Sequence, residues 1–161
     1  DFLISMEVDS NVYMNIDEDA TTAYSYISSP DFGSDDWFGI NDLVCNESTV
    51  DCYNSKVVQS SMGSHSRVNI NYLQLESVLV GLKPCFGTFM EGKSVYDQKL
   101  PKKGVIVLGN EANGISDGIE ALVNIRLSIP RFGPDKKTES LNVANAAAII
   151  LSEFKRNSTE K

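Results

Sequence analysis

The run Gly104-Val105-Ile106-Val107-Leu108 is apolar throughout and leads straight into Gly109. A strand without polar alternation must be covered on both faces, a condition met in parallel sheets flanked by helices. The residues behind it, Asn110-Glu111-Ala112-Asn113-Gly114, carry amides and a second glycine, and they turn the chain toward a predicted helix over Asp117–Asn124. The same unit then recurs. Arg126-Leu127-Ser128-Ile129 predicts a strand stopped by Pro130. A closing helix is expected from about Asn142 to Arg156, with Ala144, Ala147, Ala148 and Leu151 as its small-to-medium face.

Upstream the pattern is shorter but of the same kind. Trp37-Phe38-Gly39-Ile40 reads as a helix end with Gly39 as its stop, and Asp42-Leu43-Val44-Cys45 as a short strand. Helices are expected over Asn54–Met62 and over Tyr72–Leu82, the latter with Leu75, Val78, Leu79 and Leu82 on one face. Strands are expected over Val68–Ile70 and Cys85–Phe89. Strands alternating with helices at this spacing define the α/β class: a mostly parallel sheet with helices on both faces, here in one domain over residues 1–161. Residues 1–35 are poorly assigned. Within them Val12–Ile16 alternates like a strand, and Thr21–Asp36 reads as loop.

Composition narrows the classes. With 42% apolar and 22% charged residues in 161, the chain has the material for one globular core. No apolar run approaches the ~18–20 residues that span a bilayer, and no basic segment precedes an apolar one at the N-terminus, so no membrane partner and a cytoplasmic location are expected. Cys45, Cys52 and Cys85 include no C-x-x-C and have no nearby histidine pair. They suit reduced thiols rather than a disulfide framework or a zinc site, and no metal is expected. The net charge of −8 argues against nucleic acid until its distribution is seen. Residues 1–60 hold 12 Asp/Glu against one Lys, a balance of −11, whereas residues 61–161 hold 10 Asp/Glu against 13 Lys/Arg, a balance of +3. The second part can therefore meet a polyanion, and Arg67, Arg126, Arg131, Lys136 and Lys137 are its candidate phosphate contacts.

In open α/β sheets ligands gather outside the carboxyl ends of the strands. Three such ends are informative: residues 87–92, 109–114 and 129–142. None carries G-x-G-x-x-G after a first strand or G-x-x-x-x-G-K-[ST], so the dinucleotide and P-loop readings lack their fingerprint. Taken singly, Gly109–Gly114 is more often a plain turn into a helix. Ser140 and Asn142 are likewise preferred N-cap types for the last helix, and Glu111 in a first turn is a common dipole partner. His65, the sole histidine, reads as a solvent-facing residue rather than a general base.

Together the motifs say more. G-N-E-x-N-G-I-S after a buried strand, followed by I-P-x-x-G and S-L-N-V-x-x-A-A-A-I at the start of a C-terminal helix, resembles the SpoU/TrmH family of RNA ribose 2′-O-methyltransferases in the SPOUT superfamily. Asp36–Ile40, Thr49–Gln59, Met62-Gly63-Ser64 and the Glu91-Gly92 turn are similar to further family segments, so the resemblance covers roughly residues 36–156. It implies an α/β domain whose C-terminal segment is threaded as a trefoil knot, a known exception to unknotted topology. It also implies S-adenosylmethionine as cofactor, a homodimer, and a tRNA or rRNA substrate. Gly109, Ile129 and Leu141 would contact the cofactor, largely through backbone, with Thr88–Glu91, Thr88 and Met90 among them, forming another wall. Glu111, Ser140 and Asn142 match the family's catalytic positions, and Arg67 and Arg131 are candidates for RNA. Residues 1–35 would then be a linker to, or remnant of, an RNA-binding domain.

One departure leaves two readings open. The family's first motif is N-x-G-x-x-x-R, whose arginine helps to activate the 2′-hydroxyl. Here the corresponding stretch is Ser29–Asp36, and Gly33 falls where that arginine belongs. The expectation is therefore a ribose 2′-O-methyltransferase, with a catalytically impaired RNA- or cofactor-binding homodimer as the alternative. An unrelated nucleotide-binding α/β domain is the third reading, and it requires the motif match to be chance.

Overall fold

The computed structural model describes residues 2–6, 37–40, 42–47, 49, 51–102, 104–109, 114–133 and 141–159. The strand expected at Val12–Ile16, the loop at Thr21–Asp36 and the phosphate candidates Lys136 and Lys137 lie outside them. Among the described residues the strands are β1 (Phe2–Met6), β2 (Asp42–Cys45), β3 (Asn69–Tyr72), β4 (Cys85–Ser94), β5 (Gly104–Val107) and β6 (Ile125–Ser128). They form one sheet in the order β3-β2-β1-β5-β4-β6. The helices are α1 (Ser55–Ser60), α2 (Leu75–Leu79), α3 (Asp117–Glu120) and α4 (Val143–Thr159).

The sheet is mostly parallel, as expected. β2 pairs with β3 in parallel, and β4 does so with both β5 and β6. The exception is β1, which runs antiparallel to β2 on one side and to β5 on the other and so joins the two parallel sets. No strand was expected at residues 2–6.

Alternation along the strands sorts the core into two layers. Leu43, Cys45, Phe86 and Ile106 face one side, where they pack with Val57 of α1 and with Val143, Ala147, Ile150, Leu151 and Phe154 of α4. Val44, Cys85, Val105 and Val107 face the other, against Leu75 and Leu79 of α2 and Ile119 of α3. Helices thus cover both faces, which is why β5 is apolar at every position. Phe154 and Phe86 meet edge to face with ring centroids 5.1 Å apart, a contact that ties α4 to β4 beyond the area it buries.

Several boundaries differ from expectation for local reasons. α1 stops at Ser60, where the Ser61 hydroxyl donates to the Val58 carbonyl and Met62 takes a positive φ of 48°. Tyr72 is not in a helix. It ends β3, and its hydroxyl accepts the Cys52 amide at 2.7 Å, which leaves α2 only Leu75–Leu79. α3 gives way after Glu120 to turn bonds that deliver Asn124 to β4, where its amide donates to the Cys85 carbonyl and its Oδ1 accepts the Cys85 amide. On α4 the buried face is Val143, Ala147, Ile150, Leu151 and Phe154, and the expected Ala144 and Ala148 lie half-exposed beside it. β4 does not end at Phe89 but continues to Ser94, with an interruption that shapes the site.

Candidate functional site

β4, β5 and β6 end at the same edge of the sheet because they run parallel. The start of α4 closes that edge from one face. Between them lies a slot of about 290 Å³. Thr88, Phe89 and Met90 of β4 form one wall, Gly109 stands at the exit of β5, and Leu127 and Ile129 come from β6 and its exit. Leu141 and Val143 cover it from the entry of α4, with Ala146 and Ile150 one and two turns further along.

Each wall has a local cause. β4 pairs with β6 up to Thr88–Leu127, leaves it, and returns with Lys93 opposite the same Leu127. The four residues between are an excursion, so Phe89 and Met90 become wall rather than sheet. Gly109 is required by its surroundings: a Cβ there would lie 2.6 Å from the Gly114 carbonyl carbon and 2.7 Å from the Ile115 amide nitrogen. The close approach that this glycine permits is to the chain's own backbone, which seats Gly114 and Ile115 against the exit of β5. Gly114 itself holds φ +70°, a left-handed value that favours glycine. At the entry of α4, Asn142 Oδ1 accepts the Ala144 amide at 3.0 Å and the Asn145 amide at 3.4 Å. This is an N-cap, and it fixes the turn that carries Leu141 and Val143 into the slot.

The five residues expected to touch a cofactor, Thr88, Met90, Gly109, Ile129 and Leu141, all line this one slot. Motifs more than fifty positions apart thus converge. Of the expected catalytic residues, Asn142 caps α4 between two slot-lining neighbours, while Glu111 and Ser140 lie outside the described residues. Arg131 stands at the slot's rim, its Nη2 3.9 Å from the Met90 sulfur. Arg67 lines neither cavity and bonds the Ser64 hydroxyl at 3.2 Å. Phe89 falls within the expected wall Thr88–Glu91 and Val143 within the motif S-L-N-V, whereas Leu127, Ala146 and Ile150 were not expected in the lining. Ala146 and Ile150 fall three and seven positions after Val143 on α4, so helical periodicity would have found them.

The lining suits a specific kind of guest. Its side chains are mainly apolar, Thr88 adds a hydroxyl, Gly109 adds backbone, and among the described residues no lysine or arginine contributes. A phosphate would find no counter-charge among the described lining residues. A neutral nucleoside joined to a sulfonium would find apolar walls and backbone partners, and the volume lies near the lower end of the ~300–1,000 Å³ usual for ligand pockets.

A second hollow, of about 780 Å³, lies beside β3 at the edge of the sheet. Glu47, Asp51, Tyr53, His65, Asn69 and Tyr72 give it a polar rim. Burial, then the neighbouring Cys45 and Cys52, push the Tyr72 hydroxyl above its usual range. His65 contacts the Ser61 hydroxyl through Nδ1 at 2.8 Å. Among the described residues no group of three or more His, Cys, Asp or Glu could hold a metal ion, and no helix is long and apolar enough to cross a membrane.

An α/β domain whose parallel strands end on a small apolar slot, covered by the C-terminal helix, defines the class to which this molecule belongs. The family can be stated as well: residues 34–152 match the SpoU rRNA Methylase family, and the chain belongs to it. Over 119 residues it is 30% identical to the 23S rRNA (guanosine(2553)-2′-O)-methyltransferase RlmP of Bacillus subtilis, a match covering 70% of this chain and 46% of that protein. The solved structure of a TrmH-family protein from Porphyromonas gingivalis superposes with a TM-score of 0.71 at 36% identity, covering 81% of this chain and 58% of that one. The SpoU methyltransferase AviRb of Streptomyces viridochromogenes, in complex with its cofactor AdoMet, shares the fold with a TM-score of 0.70 at 24% identity, covering 97% and 64%. The chain spans about half or less of the length of the curated relatives it matches.

Proposed function

We propose that this chain is the methyl-transferring part of an S-adenosylmethionine-dependent RNA ribose 2′-O-methyltransferase. One observation carries the reading: Thr88, Met90, Gly109, Ile129 and Leu141 meet in a single slot whose chemistry suits a nucleoside sulfonium. Family membership and the 2′-O-methyltransferase activity named for RlmP agree with it. The bound cofactor would supply a methyl group on a positively charged sulfur, ready for attack by an oxygen nucleophile. The chain's own part is to hold and orient. Thr88 and the Gly109 backbone provide polar partners, and Met90, Ile129 and Leu141 exclude water. A ribose hydroxyl is a weak nucleophile, so its rate depends on alignment and on a proton acceptor. Glu111, Ser140 and Asn142 take these positioning roles in the proposal, with Arg131 at the rim for an RNA phosphate. The trefoil-knotted C-terminus, the homodimer, the tRNA or rRNA substrate and the cytoplasmic location belong to the same proposal.

A second reading rests on the sequence Ser29–Asp36, where Gly33 stands in place of the family's arginine. On that reading the chain binds cofactor or RNA without transferring methyl groups. Calorimetry and methyl transfer separate the cases. Binding of S-adenosylmethionine together with new 2′-O-methylated nucleosides in RNA, read by mass spectrometry, supports the enzyme; binding without transfer supports the second reading. No binding at millimolar cofactor sinks the enzyme, and no binding of RNA besides sinks the second reading as well.

A further inference from the structure

Phe89 forms part of the slot's wall and also packs against the core layer on the α2 and α3 side. The side chain is half-buried and sits on the excursion that leaves β6 at Thr88. Its ring folds back over Gly87, where an added Cβ would lie 2.7 Å from the ring's Cε2, so only glycine leaves it room. Gly87 is paired in register with Arg126 of β6. Consequently the Arg126 guanidinium stands over the ring, its carbon 3.5 Å from the centroid. The same guanidinium is ion-paired with Glu120, the last residue of α3, and both side chains are less than half exposed. An ion pair at this exposure stabilises little by itself. It does restrict a long side chain to one place, over the ring of a residue that lines the slot.

We propose that Arg126, fixed by Glu120, is a positioning residue that holds Phe89 against the slot, and that it reserves the inner face of the ring for the adenine of the cofactor. The ring's quadrupole attracts a cation to its face, and Arg126 already occupies one face. A second cation on the other face is opposed by the first, whereas a flat neutral ring stacks there without that penalty. On this reading the sulfonium would not sit on the Phe89 ring. This inference rests on the cofactor reading above.

Calorimetry with two probes tests it: S-adenosylmethionine, and 5′-methylthioadenosine, which keeps the adenosine but carries no sulfonium. Arg126→Ala should weaken both by the same roughly five- to thirty-fold, the range that a partly desolvated cation–π contact supports. Its melting temperature should stay within a few degrees of the parent, because Arg126 lies outside both core layers. In a Phe89→Leu background Arg126→Ala should cause no further loss, since the ring it acts through is gone. Arg126→Lys should recover only part, because an ammonium keeps the charge but not the planar face. Unchanged affinity in Arg126→Ala, or an equal further loss in the Phe89→Leu background, overturns the positioning role. A loss confined to S-adenosylmethionine overturns the adenine assignment. A parent chain that binds neither probe removes the cofactor reading along with it.

Discussion

The slot at the ends of β4, β5 and β6 encloses about 290 Å³, and the hollow beside β3 about 780 Å³. Size ranks them in the opposite order from construction. The slot is walled by four separate chain segments, each held by a feature that tolerates little change: a glycine against backbone at 109, a cap at Asn142, an excursion closed on Leu127. The hollow is bounded by one loop after β2, the approach to β3, and β3 itself. Its rim residues Glu47, Asp51 and Tyr53 are exposed. Depth of construction, more than volume, is what singles out the slot as the proposed cofactor site.

Gly109→Ala is the most severe way to break this contrast. The added methyl would meet backbone atoms on both sides of the Gly114–Ile115 peptide. Backbone cannot step aside as a flexible side chain does, so overpacking here should cost about 3 kcal/mol. Denaturant unfolding should show that loss, and calorimetry should show cofactor binding falling below detection. Parent-like stability with parent-like binding would mean that the loop seats itself some other way.

The alkaline limb of stability comes next and touches both halves of the sheet. Burial raises the Cys85 thiol from 9.0 to about 11. A raised pKa means that the folded state holds its proton more tightly, so this contribution is complete below pH 9 and is lost as pH climbs through about 11. By the upper end of that window the loss is on the order of 3 kcal/mol. Tyr72, also raised, extends the decline to higher pH. Unfolding free energies taken from pH 8 upward should fall over this range. Cys85→Ala should flatten the first part and Tyr72→Phe the second; a flat profile in the parent would remove the argument.

The difference in construction also explains how much was legible in the residues. Elements set by local pattern were read correctly in kind: the all-apolar β5, the short β2, and α2 with Leu75 and Leu79 inward. Ends decided by distant partners were misjudged. Tyr72 looks like a helix start until Cys52, twenty positions away, is seen to need its hydroxyl. The excursion at Phe89–Gly92 exists because two residues of β4 share Leu127, which no local window contains. β1 was missed because Phe2–Met6 is five residues long and its placement depends on β2 and β5, far along the chain. The slot residues were legible for another reason. They sit in motifs that resemble those of a known family, and the resemblance carried what periodicity could not.

Asn142→Ala has a smaller expected effect and sharpens the comparison at the slot itself. Its Oδ1 caps α4, and loss of such a cap costs about 1 kcal/mol. The proposal asks more of this residue than capping. Asn142→Asp and Asn142→Ser both keep a capping oxygen, so they should hold stability near the parent while lowering methyl transfer well below it. Transfer that tracks stability across the three variants would leave Asn142 as a cap alone.

Tyr53→Ala should do least to the fold. Its side chain is 79% exposed at the rim of the hollow, and the bond it makes to Asp51 Oδ1 comes from its main-chain amide, which alanine retains. Neither core layer includes it. Stability should therefore stay within about 0.5 kcal/mol of the parent, as for surface positions generally. Affinity for S-adenosylmethionine should not change, because the walls of the slot are built without this segment. The same variant in an RNA-binding titration then tells the two regions apart. A fall in RNA affinity with cofactor affinity intact would give the hollow a part in holding RNA. Loss of cofactor affinity would show that the two regions are coupled, and the contrast between them would have to be given up.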